Sequence, residues 1–351
     1  MHRRALLQGA GTLAASAVLG RQAWAEGAPA GDGWRSYEMV TEVDLSRPDA
    51  PAELWIPVGE SRSVYQHAAL PSFQSTGQAR LVRDARYGAQ MLRVTWTQAG
   101  GPRTVKVSQV ISTRDRTADG ARLSAKERAF WTAPVPSLPT DGLVKSTAMK
   151  IALSHPEPRA RLRAIYDWVV DNTFRDAATR GCGTGGIENM LETGYLGGKC
   201  ADINSLMVGL SRAAGIPARD VYGVRLGPSK YAKCLGASGD VTHAQHCRAE
   251  MWLEGVGWFP VDPADVRKVV LEEKIAVDSP EVKGHRERLF GSWEMNWVAY
   301  NSATDVALPG ASKPPAEHFL MYPLAMTPAG EMDQLDPDTF RYRIVSTPKA
   351  A

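Results

Sequence analysis

Between Tyr37 and Val107 apolar and polar positions alternate: Tyr37, Met39, Thr41 and Val43, then Leu54, Ile56 and Val58, then Leu92, Val94 and Trp96, then Val105 and Val107. Successive side chains of a strand point to opposite faces, so this period of two predicts short, half-buried strands. Pro51, Gly59, Gly88 and Gly100-Gly101-Pro102 punctuate them, a pattern that predicts a small β-sandwich. From Leu123 the period becomes helical. Pro158 opens a helix whose stripe is Leu162, Ile165, Tyr166 and Val169, proline being well suited to a first helical position. A second stripe, Ile203, Leu206, Met207, Leu210 and Ala214, follows Cys200 and ends at Gly215-Ile216-Pro217. Glycine takes the left-handed backbone that closes a helix, and proline prevents its resumption. One face of this helix is therefore expected to be buried, with Cys200 in its first turn.

Strands return at Val221 to Leu226 and at His246 to Leu253. Alternation along the second puts His246, Arg248, Glu250 and Trp252 on one face and Cys247, Ala249, Met251 and Leu253 on the other. Glu254-Gly255-Val256-Gly257 predicts a hairpin into Trp258 to Asp262. The expected register sets Asp262 opposite Ala249, so a bulge or tilt is needed to bring it to His246. Phe290 to Tyr300 predicts a last strand region of this part, and Phe340 to Val345 an extra terminal strand.

Composition narrows the class. The chain has 351 residues and a net charge of +3, long enough for one large or two medium domains and too nearly neutral to argue for nucleic acid. Arg3-Arg4, an apolar small-residue run to Leu19 and Ala23-Trp24-Ala25 predict a twin-arginine export signal over residues 1–25. That run is short for a span and broken by glycines, so the mature chain, starting near Glu26, is expected not to span a membrane and to be periplasmic or secreted. The expected organisation is a β-sandwich over 26–118, a catalytic-type α+β domain over 119–330 and a tail over 331–351. Four cysteines outside the cytoplasm leave disulfide pairing open; Cys182 and Cys234, both in Gly-rich loops, are the favoured pair, and Cys247 a buried free thiol.

A thiol at a helix start is chemically privileged. Unpaired N–H groups and the positive end of the helix dipole stabilise thiolate, and Gly197-Gly198 before Cys200 let a substrate backbone come close. Gly198-Lys199-Cys200-Ala201-Asp202, the apolar helix, Ala214-Gly215-Ile216-Pro217-Ala218-Arg219, His246 to Glu250 and Gly257-Trp258-Phe259-Pro260-Val261-Asp262-Pro263 together resemble the core of the transglutaminase-like cysteine superfamily. The resemblance implies a papain-like α+β fold, a helix carrying the cysteine packed on an antiparallel sheet, and a Cys-His-Asp triad for amide chemistry. On that reading Cys200 is the nucleophile, His246 the base and Asp262 the group that orients the imidazole. The backbone N–H of Cys200 is one oxyanion donor, and Tyr195, Asn189 and Trp168 are candidates for the second. Family members commonly carry an aromatic residue where this chain has Arg248.

No cofactor and no metal are expected: His243-Ala244-Gln245-His246-Cys247 matches no structural-zinc spacing, and no acidic calcium loop is visible. Asp202 and Arg219 are expected to serve the helix dipole and an ion pair. Two functions follow. The first is an exported cysteine enzyme acting through a thioester on a protein, peptide or cell-wall peptide, as peptidase, amidase or transamidase. The second is an inactive module of the same fold that binds peptide or cell-wall glycopeptide.

Overall fold

The computed structural model describes residues 33–350 apart from positions 48, 63, 312, 314, 316 and 317. The expected export signal lies outside the described residues. Two antiparallel sheets form the N-terminal region. In the first, Trp34–Asp44 lies between Thr104–Arg114 and Arg341–Lys349; in the second, Ala52–Pro57 lies between Gln90–Trp96 and Leu324–Thr327. Val43, Val105 and Val107 of the first sheet close on Leu54, Ile56, Leu92 and Val94 of the second, which are the inward positions of the sequence alternation. Both ends of the described residues therefore build this region. The last strand sits beside the first because its own alternating positions bury Ile344 and Ser346.

The first sheet serves a second core as well. Farther along the face that carries Val43, Tyr37 and Met39 pack with Ile111 against Val224, Val298 and Tyr300. These belong to a four-stranded antiparallel sheet ordered Gly257–Val261, Gln245–Leu253, Ala218–Arg225, Trp297–Asn301. The helix Cys200–Ala213 packs on this sheet, and all fourteen of its residues are buried. The sequence stripe predicted one buried face. The helices Gly142–Ala152 and Pro158–Asn172 cover the remainder, and polar groups of the cysteine helix take partners inside: Asn204 Nδ2 donates to Cys247 O at 2.8 Å and Arg212 Nε to Ala218 O at 2.8 Å.

The hairpin register differs from expectation by one residue. Ala249 pairs with Val261, so Asp262 falls opposite Arg248, on the face that also carries His246. No bulge is required. With a side-chain period of two, this single step moves the aspartate from the wrong face to the right one.

Candidate active site

The start of the cysteine helix is held by a carboxylate. Asp202 Oδ1 accepts from the N–H groups of Thr184 and Gly185, both at 2.9 Å, and Oδ2 from Lys199 N at 2.9 Å. The Gly-rich loop is thereby pinned against the helix, and a Cβ on Gly183 or Gly198 would collide with Asp202. Gly183 also has φ +87°, a backbone region that only glycine enters freely. The loop delivers Cys182 to the helix start, where its carbonyl accepts from Ala201 N at 2.9 Å.

This placement corrects the favoured disulfide. All four cysteines are free thiols, and Cys182 lies against Cys200, with its own Sγ donating to Gln245 O at 3.4 Å, while Cys234 N donates to Glu273 Oε1 at 3.0 Å, away from the cleft lining. Cys247 approaches Cys200 as well, so three sulfurs meet. Hydrogen bonds from Cys182 and then Cys247, followed by the interaction with His246, hold the Cys200 thiol well below its usual range despite burial. The same proximity pushes the pKa values of the other two thiols up, together with burial.

His246 and Asp262 meet directly. His246 Nε2 lies 2.7 Å from Asp262 Oδ2, leaving the other ring nitrogen to the thiol. Asp262 Oδ1 accepts from Asp265 N at 3.1 Å and Asn204 Nδ2 at 3.3 Å, so the aspartate also caps the helix Pro263–Glu272. Arg248 approaches from the remaining side, its Nε 3.5 Å from Asp262 Oδ2. Its guanidinium lies over the Trp293 and Trp297 rings, 5.4 and 4.8 Å from their centroids, and burial lowers its pKa to about 10. The departure from the family's aromatic residue is thus a buried brace for the carboxylate.

Two charged residues were missed at the sequence level. Asp265 Oδ1 lies 3.3 Å from His246 Nε2, and Arg225 Nη2 holds the same oxygen at 2.6 Å. Burial pushes the His246 pKa down, but Asp265 and then Asp262 outweigh it and the net shift is upward. A signal for Asp265 existed: it lies three residues after Asp262 in a helix opened by Pro263, so the two share the first turn. Arg225, at the far end of a strand, carried none.

Cys200 and His246 open on a cleft of about 980 Å³, walled by the loop that includes Gly236, Ala237 and Asp240 and floored near Cys182 by Tyr322. The expected second oxyanion donors are not at this cleft. Tyr195 is exposed and bonds Asp176, and Trp168 packs against the core. Tyr322 is a hydroxyl that does line it, in contact with the Cys182 thiol, and Thr242 and Tyr342 line it farther along. Among the described residues, His246, Asp262 and Asp265 are the group of three whose donor atoms cluster as metal ligands would. Arg225 and Arg248 already neutralise those carboxylates, a poor setting for a further cation.

A nucleophile-class thiol, an imidazole and a buried carboxylate on a helix-and-antiparallel-sheet core describe a papain-like cysteine protein. The sequence profile of the Transglutaminase-like superfamily matches residues 145–263, and the chain belongs to that superfamily. It is 37% identical over 336 residues to an uncharacterized protein of Haemophilus influenzae, covering 88% of this chain and 90% of that one. The crystal structure of a putative cysteine protease from Cytophaga hutchinsonii superposes with a TM-score of 0.58 at 15% identity, over 91% of this chain and 92% of that chain, a likeness of fold.

Proposed function

We propose that this protein is an exported cysteine enzyme that acts on amide bonds through a thioester on Cys200, with His246 as proton carrier and Asp262 as its orienting carboxylate. The observation that carries this reading is the 2.7 Å contact of His246 Nε2 with the buried Asp262, which frees the other ring nitrogen for a thiol whose pKa is held well down. In the acylation half, the Cys200 thiolate attacks the amide carbon, the C–S bond forms as the C–N bond breaks, and His246 protonates the leaving amine. Water or an amine then attacks the thioester carbon and gives its proton to His246, and the C–S bond breaks. Hydrolysis and transfer share the first half and differ in which nucleophile enters second. The helix-start N–H of Cys200 faces the developing oxyanion, being one of the donors a helix leaves unpaired.

Two features favour an inactive module, Arg248 in place of the family's aromatic residue and the crowding of cysteines near the site; the position of Arg248 beside Asp262 supports catalysis instead. The Arg3-Arg4 segment and Ala23-Trp24-Ala25 support export; no helix among the described residues is long and apolar enough to cross a membrane. The direct test is incubation with peptide and cell-envelope substrates, read by mass spectrometry. Products that appear with the wild type and vanish with Cys200→Ala support the enzyme. Labelling of Cys200 by thiol electrophiles no faster than a free thiol would reinstate the module. N-terminal sequencing of the secreted chain, expected to begin near Glu26, tests the export signal.

A further inference from the structure

The cleft over Cys200 is lined by cations. Lys199, Lys268, Arg175 and Arg341 border it, and Asp240 is the sole carboxylate residue among its lining. Asp240 is engaged by Arg343 Nε at 2.9 Å, while Arg175 has Glu272 at 3.3 Å. Lys199 and Lys268 have no carboxylate within 4.0 Å among the described residues. Lys268 projects from the helix Pro263–Glu272, the helix capped by Asp262. Burial and then the charge of Arg225 push its pKa down, so its ammonium stands in a place that an anion would relieve. Two unpaired ammonium groups beside a part-enclosed nucleophile repel each other and any cationic ligand, and a low-dielectric cleft of one sign concentrates ligands of the other. Neither lysine is needed to neutralise the His246 cluster, whose carboxylates already have Arg225 and Arg248.

We propose that the acyl substrate of Cys200 bears a free carboxylate near the scissile amide, held by Lys268 and Lys199, so that the preferred class is an acidic peptide. The proposal rests on Cys200 being the nucleophile that becomes acylated. An isosteric pair of reagents separates the two ideas: iodoacetate carries the carboxylate and iodoacetamide the neutral amide. Modification of Cys200 is followed by mass spectrometry on the full chain, with N-acetylcysteine amide as the reference thiol. The iodoacetate-to-iodoacetamide rate ratio is expected to exceed that of the reference by about tenfold, to fall severalfold in Lys268→Met and in Lys199→Met, and to shrink as salt is added. Lys268→Arg should restore most of the ratio, which a merely structural lysine would not require. The same preference should appear among substrates as faster acylation by a Glu-containing peptide than by its Gln counterpart. Fast labelling by both reagents with a ratio indifferent to Lys268, Lys199 and salt overturns the anionic-substrate proposal and leaves the nucleophile intact. Slow labelling by both overturns the nucleophile, and the proposal falls with it.

Discussion

The strand Gln245–Leu253 carries two buried charge clusters on one face, four residues apart, and they differ in what is left unpaired. Around Glu250 both carboxylate oxygens are satisfied. Its Oε1 takes Arg116 Nε and Nη2, both at 3.2 Å, and its Oε2 takes Arg219 Nε at 2.9 Å and Nη2 at 2.6 Å. Arg219 in turn lies over Trp258, 3.8 Å from the ring centroid, and Arg116 over Tyr65 at 4.6 Å. Around His246 the carboxylates are equally well held, but the ring keeps one nitrogen for a sulfur at the edge of a cleft. Both clusters use the same materials: buried carboxylates, guanidinium partners and tryptophan faces. The difference lies in whether the last valence is closed by protein or offered to a ligand. The first is a clamp between the N-terminal sheet and the core, the second a candidate reaction centre.

The comparison can be broken most severely at Asp262. Asp262→Asn retains an acceptor for the helix cap but allows the wrong imidazole tautomer, so turnover of the folded protein is expected to fall about 10⁴-fold, with some loss of stability because buried Arg248 loses its carboxylate. A turnover loss below tenfold would deny Asp262 its assigned part. Glu250→Gln should do the reverse. It strands buried guanidinium groups and is expected to cost about 3–5 kcal/mol of stability, with Cys200 alkylation in the folded protein retained. Its acid behaviour follows from the sign of the shift. Arg219 and Arg116 overcome burial and lower the Glu250 pKa to about 2, so its contribution is full above the unfolded value near 4.5 and fades as the pH falls toward about 2. Urea titrations of wild type and Glu250→Gln across that window should converge at its acid end.

Asp265→Asn is expected to act on the pH profile. Thiolate is present above the lowered Cys200 pKa and imidazolium below the raised His246 pKa, so the active ion pair occupies the interval between two macroscopic values. After the opposing effect of burial, Asp265 is the largest contributor raising His246, and its loss should move the alkaline limb of kcat/KM to lower pH. An unmoved limb would make Asp265 purely structural. The smallest effect belongs to Cys182. Removing its thiol in Cys182→Ala takes away the largest influence that lowers the Cys200 pKa, so the acid limb should move to higher pH, while Cys182→Ser, which keeps a polar hydrogen at that position, should restore much of the wild-type profile.

Much of the fold was legible because both periods are strong. The alternation from Tyr37 to Val107 and the stripe after Cys200 each mark which side chains leave water, and Gly215-Ile216-Pro217 stops the helix where the structure does. Cys200, His246 and Asp262 could be named from their order and context, and the structure brings their side chains together. Less visible was the register of the hairpin, where an expectation wrong by one residue demanded a bulge or a tilt that the observed pairing makes unnecessary. The cysteines were the plainest failure: loop composition favoured Cys182 with Cys234, whereas Asp202 folds the Gly-rich loop back on the helix and puts Cys182 beside Cys200.

Local pattern alone determined the element types, the position of the thiol at a helix start and the face shared by His246, Arg248 and Glu250, since these depend on periods of a few residues and on glycine and proline backbone preferences. Only the tertiary structure decided which buried charges are closed and which remain open. Arg225, Asp265, Cys182 and Lys268 acquire their meaning from neighbours 18 to 43 positions apart in the chain, His246, Cys200 and each other, and the energy of a buried charge depends on the distances and solvent exclusion that packing creates, which sequence spacing does not encode.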